Sequence, residues 1–487
     1  MIECREKPRF PKLCAEKSMG YDNNFGEIDG FQSARFVILF PYSPYKCRWF
    51  SMGLIKTSLL NGIAVVVKML TLLGINKILA IYVGPTGYAV VGNFQNAVQM
   101  ITTFASGAID TAVVKYTAEY HDDEAKQQAV WRTAGTVAII FSVFMGILIA
   151  VFSRSIALWF FKNENFTAVF FWFAVTIGFL IFNTLFLAIL KGKKNIYRYM
   201  TANIAGSFFS LAITGLMTIE LGLQGTLISL VIYPSIAFFI TIFLCYKEGW
   251  FRFSYFFGRL DKWAAVNLAK FTAMALVSAI CAPITLILIR NHLGETLGWN
   301  VAGYWEAMWR LSTAYLMLVT TTLSVYYLPR LSEIKGLVAI KKEIIQGYKI
   351  ILPITAVCGF FIYLSRDFII STLFTSDFFA MRELFAWQMV GDSLKIGSWI
   401  LAYLMLGKAM AKIFIVTEVL FCISFYVLTY VFIEIHGLKG VALAHAVNYF
   451  FYWVLIGYLV SRKLKISEQK TFCTVTPKRI KKWMVYK

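Results

Sequence analysis

The chain has 487 residues, 59% of them hydrophobic and only 15% charged. A soluble chain keeps about a quarter of its residues charged to face water, so that class is excluded. The net charge of +21, from 47 Lys and Arg against 26 Asp and Glu, does not point to nucleic acid. The basic residues fall between long apolar segments instead of forming one stripe.

Residues 1–50 stand apart, with Pro8, Pro11, Pro41, Pro44 and many charges. Their apolar run Phe36–Phe40 is too brief for a signal-peptide core. At Met52 the sequence turns to MGLIKTSLL, which reads as the start of a first span. The expectation is that translation begins at Met52, or that 1–51 is a disordered extension. Crossing a bilayer takes roughly 20 apolar residues as a helix. Twelve segments qualify: 59–82, 88–113, 131–152, 167–190, 199–220, 224–246, 271–291, 301–328, 347–370, 381–406, 412–434 and 438–461. They are too long and too unalternating for barrel strands. The expected fold class is an all-α polytopic membrane protein.

Lys and Arg in the connecting loops number nineteen on the side of the termini and six on the other. The positive-inside rule therefore predicts that both termini are cytoplasmic. The basic tail 462–487 agrees, and reads as a contact patch for anionic membrane lipids.

Twelve spans suggest two sets of six, with a seam in the charged loop 247–270. This divides the chain into a first lobe at 52–250, a linker at 251–270 and a second lobe at 271–461. A faint repeat supports the division. Gly87-Tyr88 and the Lys115–Glu119 pair recur as Gly303-Tyr304 and the Arg330–Glu333 pair, with offsets between 214 and 216. Copies separated by six spans share their membrane orientation, the signature of parallel repeats.

A charge at mid-bilayer costs about 2.5–3.5 kcal/mol on insertion scales, so it faces a cavity or a partner. Lys68 lies near the centre of the first span, on one helical face with Asn61. It reads either as a cavity-lining cation or as half of a packing ion pair. Lys77 and Arg290 lie nearer span ends, where snorkelling is the competing explanation. Glu306 and Arg310 are four apart, and Asp392 and Lys395 three apart, so each pair shares a face and can neutralise itself. Asp110 and Glu418 have no local partner; they suit an ion-coupling site or long-range pairing with Lys68. Gln95, Asn96 and Gln99 suit helix bridging more than ligand contact. Trp305, Trp309 and Trp387 read as belt residues or as platforms for sugar rings. Pro234, Pro283 and Pro353 fall inside spans and are expected to kink them.

No nucleotide-binding loop, nucleophile elbow or zinc-protease motif occurs in the sequence. No Cys-x-x-Cys occurs either, and no cofactor or metal is expected.

The stretch FFAMRELFAWQMVGDSLKIGSWILAYLMLGKA at 378–409 closely resembles the bacterial oligosaccharide-lipid flippases of the polysaccharide transporter group. These include the flippases of enterobacterial common antigen and O-antigen assembly. GPTGYAVVGNFQ at 84–95, KYTAEYHDD at 115–123 and SVYYLPRLSE at 324–333 resemble the same group, and the likeness covers about 52–461. It implies twelve transmembrane helices in two six-helix bundles around a central cavity, as in the multidrug/oligosaccharidyl-lipid/polysaccharide exporter superfamily. The implied substrate is an undecaprenyl-diphosphate-linked oligosaccharide, carried from the cytoplasmic to the periplasmic leaflet of the inner membrane. A glycan polymerase and a chain-length regulator are the implied protein partners. Lys68, Lys77, Arg290, Asp392, Lys395 and Glu418 match charged positions of the family pattern, whereas Arg310 departs from it. Lys68, Lys77, Arg290, Arg310 and Lys395 are the expected diphosphate and glycan ligands. Asp110, Glu306, Asp392 and Glu418 are the expected coupling or charge-partner groups. The competing readings are a cation-coupled multidrug exporter of the same superfamily, and a polymerase or ligase of lipid-linked glycans.

Overall fold

A backbone inside hydrocarbon must satisfy its own N–H and C=O groups, and a helix does so within one segment. In the computed structural model every regular element among the described residues is helical. The backbone is described for residues 46–106, 110–161, 163–334, 336–408 and 410–483. Met1–Met52 is a unit by itself, described only as helical backbone from Lys46. The expectations for residues 1–45 lie outside the described residues. Gly53–Lys487 forms the second unit.

The first run of helices is α1 (Lys46–Tyr82), α2 (Gly84–Ala105), α3 (Asp110–Glu119), α4 (Glu124–Val151), α5 (Ser153–Phe161), α6 (Thr167–Gly192) and α7 (Ile196–Tyr246). The second is α8 (Lys262–Thr296), α9 (Trp299–Thr322), α10 (Leu328–Glu333), α11 (Leu337–Leu364), α12 (Arg366–Leu373), α13 (Phe385–Gly407), α14 (Ala411–His436) and α15 (Leu438–Trp483). Short 3₁₀ turns at 164–166 and 376–384 lead into α6 and α13, and a π-helical turn at 323–327 joins α9 to α10. Pro234, Pro283 and Pro353 lie inside α7, α8 and α11, where the sequence placed them.

Among the described residues nine helices are long and apolar enough to cross a membrane, which makes this a multi-pass membrane protein. One of them, α7, is 51 residues long and breaks at Gly222, where φ is 57° and ψ −133°. Only glycine reaches that conformation without strain. α2 and α9 fall outside the nine, and both carry polar or charged residues: Asn93, Gln95 and Asn96 on α2, Glu306 and Arg310 on α9.

The second run repeats the first. Gly437, which separates α14 from α15, has φ 57° and ψ −135°, matching Gly222 at a distance of 437 − 222 = 215 residues. The glycine three residues on is forced in both copies. A Cβ on Gly225 would lie 1.9 Å from the Met217 carbonyl oxygen, and one on Gly440 2.1 Å from that of Phe432. Met217 and Phe432 are themselves 432 − 217 = 215 apart. α6 ends at Gly192 and α13 at Gly407, again 215 residues apart. Four glycines and two helix ends thus carry a duplication that the side chains have mostly lost.

α6 packs on α4 and α7 in the first run, and α13 packs on α11 and α15 in the second. The seam loop is not free. Phe256 is fully buried against α4, where Gly135 leaves room for its carbonyl, and Asp261 caps α8 through the Ala264 amide at 2.8 Å. The two runs meet chiefly where α2 lies along α9 and α8.

Candidate binding cavities and an interlocked end

The first run encloses a hollow among α1, α6 and both segments of α7, about 250 Å³ in volume. Between aliphatic side chains such as Leu72, Ile75 and Leu187, its walls carry the hydroxyls and amides of Thr71, Asn183, Asn203, Ser207, Ser210 and Thr241. Lys68 projects into it from mid-α1 and also lines a second space of about 280 Å³ that continues toward the α6–α7 turn. Lys68 is accessible despite its mid-helix position, because this hollow lies in front of it. Lys191 and Lys194 line the same space, and its opposite wall is Met317, Thr321 and Ser324 of the second run. Among the described residues lining it none is acidic.

Lys194 is held there at a cost. Asn195 N–H donates to the Leu190 carbonyl at 3.0 Å, the reverse-turn bond that ends many helices. The residue before it then has φ 57°, a slot normally filled by glycine. Lys194 is the one non-glycine residue with positive φ among the described residues. Strain of this kind concentrates at functional positions. The π-helical turn that carries Ser324 is another such local irregularity.

The second run has its own hollow of about 340 Å³, bounded by α8, α9, α13, α14 and α15. Its character is aromatic. The Lys395 ammonium lies 4.8 Å from the Trp309 ring centre, 5.0 Å from Trp399 and 5.9 Å from Tyr449. Glu418 faces the Tyr452 hydroxyl on the far wall. Asp392 does not pair with Lys395 as the three-residue spacing suggests. It lies fully buried, accepting from Tyr315 Oη at 2.9 Å and Gln388 Nε2 at 3.2 Å, with His445 Nε2 at 3.2 Å. Gly391 makes room for that histidine, since a Cβ there would sit 2.2 Å from His445 Cδ2.

At the α1–α2 end the two runs interlock. Arg290 Nη2 donates to Glu306 Oε2 at 2.7 Å, and Arg310 Nε donates to Glu306 Oε1 at 2.8 Å. Arg290 Nη1 also donates to Asn93 Oδ1 at 2.6 Å, and Arg310 Nη2 to Gln95 Oε1, which ties both arginines to α2. All three charged residues are at most 6% exposed. Thr86 donates to Asn300 at 2.6 Å, and a Cβ on Gly303 would lie 1.8 Å from the Pro85 carbonyl oxygen. Lys77 reaches across to the Phe374 carbonyl at 2.9 Å. Burying three charges requires that each be paired and hydrogen-bonded; here one carboxylate pairs with both guanidinium groups, and of their buried polar atoms only the Arg290 Nε is left without a partner among the described residues.

The five cations singled out in the sequence therefore do not converge. Lys68 lines the first hollow and Lys395 the second, while Lys77, Arg290 and Arg310 hold the interlocked end. Glu306 belongs to that lock, Glu418 to the aromatic hollow, and Asp392 to the buried cluster beside it. Asp110 is exposed in the first turn of α3, facing neither hollow. Sequence reasoning missed Lys191 and Lys194, counted only as loop charges, and it missed His445 and Gly92. The signal for Lys194 was present: Lys-Gly-Lys-Lys-Asn closes a helix, with a lysine where the turn asks for glycine.

Residues 54–335 match the polysaccharide biosynthesis protein family. The chain is 31% identical over 404 residues to the lipid III flippase of Escherichia coli, covering 83% of this chain and 97% of that protein. The same figures hold for the lipid III flippase of Shigella flexneri. The chain belongs to the polysaccharide biosynthesis protein family. This member also shares its fold with solved transporters. It superposes on the inward-facing conformation of a multidrug resistance MATE family transporter of the MOP superfamily with a TM-score of 0.66 at 14% identity, covering 83% of this chain and 99% of that one. Against an outward-facing conformation of such a transporter the TM-score is 0.58 at 15% identity, covering 83% and 96%. A MOP superfamily transporter from Pyrococcus furiosus gives 0.58 at 14% identity, covering 82% and 95%. The fold of this family member is thus the MATE-type helical fold.

Proposed function

We propose that this protein is a flippase that carries an undecaprenyl-diphosphate-linked oligosaccharide from the cytoplasmic to the periplasmic leaflet of the bacterial inner membrane. The observation that carries this is the space lined by Lys68, Lys191 and Lys194, without an acid and walled by both runs of helices. A diphosphate brings negative charge that such a site neutralises by charge-assisted hydrogen bonds. The hydroxyls and amides behind Lys68 replace water around polar groups of the substrate. The prenyl chain stays in the bilayer. No bond is made or broken, so the protein acts as a transporter and not as an enzyme.

Twelve crossings account for the element order: the nine apolar helices, a second pass from the broken α7, and α2 and α9. The chain is read as two six-helix lobes, 52–250 and 271–461, joined by the linker 251–270, and the 215-residue repeat supports this reading. With the termini cytoplasmic, the α6–α7 end faces the cytoplasm and the interlocked end faces the periplasm. The lock is then the outer gate, closed while the lysine site is open to the inside. Alternating access means breaking the Arg290–Glu306–Arg310 lock while the inner ends of α6 and α9 close. The basic tail holds anionic lipids, and a glycan polymerase with its chain-length regulator takes up the delivered substrate.

The test is transport in vesicles of defined sidedness carrying lipid-linked oligosaccharide, read by an added enzyme that trims only outward-facing glycan. The intact chain is expected to expose the glycan, and Lys68→Ala to abolish exposure while still inserting. Export of cationic dyes without glycan movement overturns the proposal in favour of a multidrug exporter.

A further inference from the structure

The two hollows are the same place in the two repeats. Shifted by 215 residues, Asn203, Gly206, Ser207, Ser210, Pro234 and Ala237 of the first become Glu418, Phe421, Cys422, Phe425, Tyr449 and Tyr452 of the second. The backbone frame was kept in duplicate and the chemistry pointing into it diverged. One hollow sets hydroxyls, amides and a lysine among aliphatic side chains. The other is built mainly of indole, phenol and phenyl rings with aliphatic side chains between them, and holds one buried cation and one carboxylate.

We infer that the aromatic hollow is a glycan subsite, in which a sugar ring of the cargo packs on the Trp309–Trp399 wall and gives its hydroxyls to Glu418. A pyranose has an apolar C–H face that suits an aromatic plane, and a polar rim that needs charged or hydroxyl partners. The hollow supplies both, and its 340 Å³ is of ligand size. Lys395, fixed among three rings, presents a donor for a carboxylate or acetamido oxygen of the sugar. The prenyl chain is the weaker occupant. It would leave Lys395 with ring faces alone and Glu418 with Tyr452 alone, in a space it does not need, since it is already soluble in lipid. Glu418 lies on α14 and Lys395 on α13, so the two charges reach the hollow from different helices.

This assignment rests on the flippase reading, and one experiment separates the two. Binding to the purified full-length protein is measured for two probes: lipid-linked oligosaccharide extracted from Escherichia coli membranes, and undecaprenyl diphosphate without sugar. The intact chain is expected to bind the glycosylated probe at least tenfold tighter. Trp399→Leu and Glu418→Gln should reduce that preference to about one without changing affinity for the bare diphosphate. Lys68→Ala should weaken both probes alike. If the intact chain binds neither probe, the flippase reading fails and the subsite with it. If it binds both and the two variants leave the preference intact, the subsite alone is overturned. If the variants weaken the bare diphosphate equally, the hollow holds the lipid carrier and the subsite is again overturned.

Discussion

Gly92 of α2 stands directly against Glu306 of α9: a Cβ on the glycine would lie 2.4 Å from the Glu306 carboxyl carbon. The carboxylate that holds Arg290 and Arg310 therefore occupies the volume that any other residue at 92 would fill. Gly92→Ala is expected to push Glu306 out of line with both guanidinium groups. Glu306→Gln removes the charge and leaves two buried arginines facing each other. Breaking a buried pair from one side costs roughly 3–5 kcal/mol. If the lock is the outer gate proposed above, the loss should appear as opening and not as global unfolding. Ala302 is fully buried at this end, so the cysteine of an Ala302→Cys variant should react with a water-soluble maleimide at least tenfold faster when either change is added. Unchanged labelling would show that the network only packs helices.

Lys194 combines strain with a proposed role, which separates stability from function at one position. A non-glycine residue in the left-handed region costs roughly 1–2 kcal/mol. Lys194→Gly should therefore raise the unfolding midpoint in detergent while weakening diphosphate binding. Lys194→Gln should weaken binding without the gain in stability. A charge-assisted hydrogen bond contributes about 1.5–3 kcal/mol, so each of Lys68→Gln, Lys191→Gln and Lys194→Gln should lower affinity by roughly ten- to a hundredfold. Full binding in all three would remove the basis of the proposed site.

The sequence displayed the membrane-spanning helices because lipid demands long apolar segments, and each of the twelve expected spans overlaps a helix. The local pairing of Glu306 with Arg310 was also legible, because four residues are one turn of helix. What spacing cannot carry is the third partner. Arg290 lies on another helix, 16 residues before Glu306, and looked like a snorkelling end residue. Asp392 misled in the opposite direction. Its neighbour Lys395 turns to indole rings, and its actual partners Tyr315 and His445 come from helices 77 and 53 residues away. The duplication showed only as a faint motif, since its firmest marks are two glycines with matching dihedrals.

Gly222 and Gly437 invite a paired test of that duplication. Each has φ 57° with ψ near −135°, where a side chain strains the backbone by about 1–3 kcal/mol. No heavy atom lies within 4 Å of a Cβ at either position, so alanine reports backbone strain and not a clash. Gly222→Ala and Gly437→Ala should lower the unfolding midpoint by similar amounts, with additive effects in the double variant because the sites lie in different repeats. A strong effect at one and none at the other would mean that the two turns do different work.

The buried cluster around Asp392 makes the last prediction. Its two oxygens serve Tyr315, Gln388 and His445, and the residue has no surface exposed to solvent. Asp392→Ala leaves all three without their acceptor, at about 1–3 kcal/mol for each stranded polar group. The Trp309 ring touches His445 edge-on, with centroids 5.6 Å apart, so displacement of the imidazole also disturbs the wall that Lys395 packs on. Gly391→Ala attacks the same histidine sterically and keeps the carboxylate. Both variants should therefore lower the unfolding midpoint and also reduce the preference for glycosylated over bare lipid carrier, with the diphosphate site untouched. Loss of stability without loss of that preference would show that the cluster is structural and that the aromatic wall is positioned by other contacts.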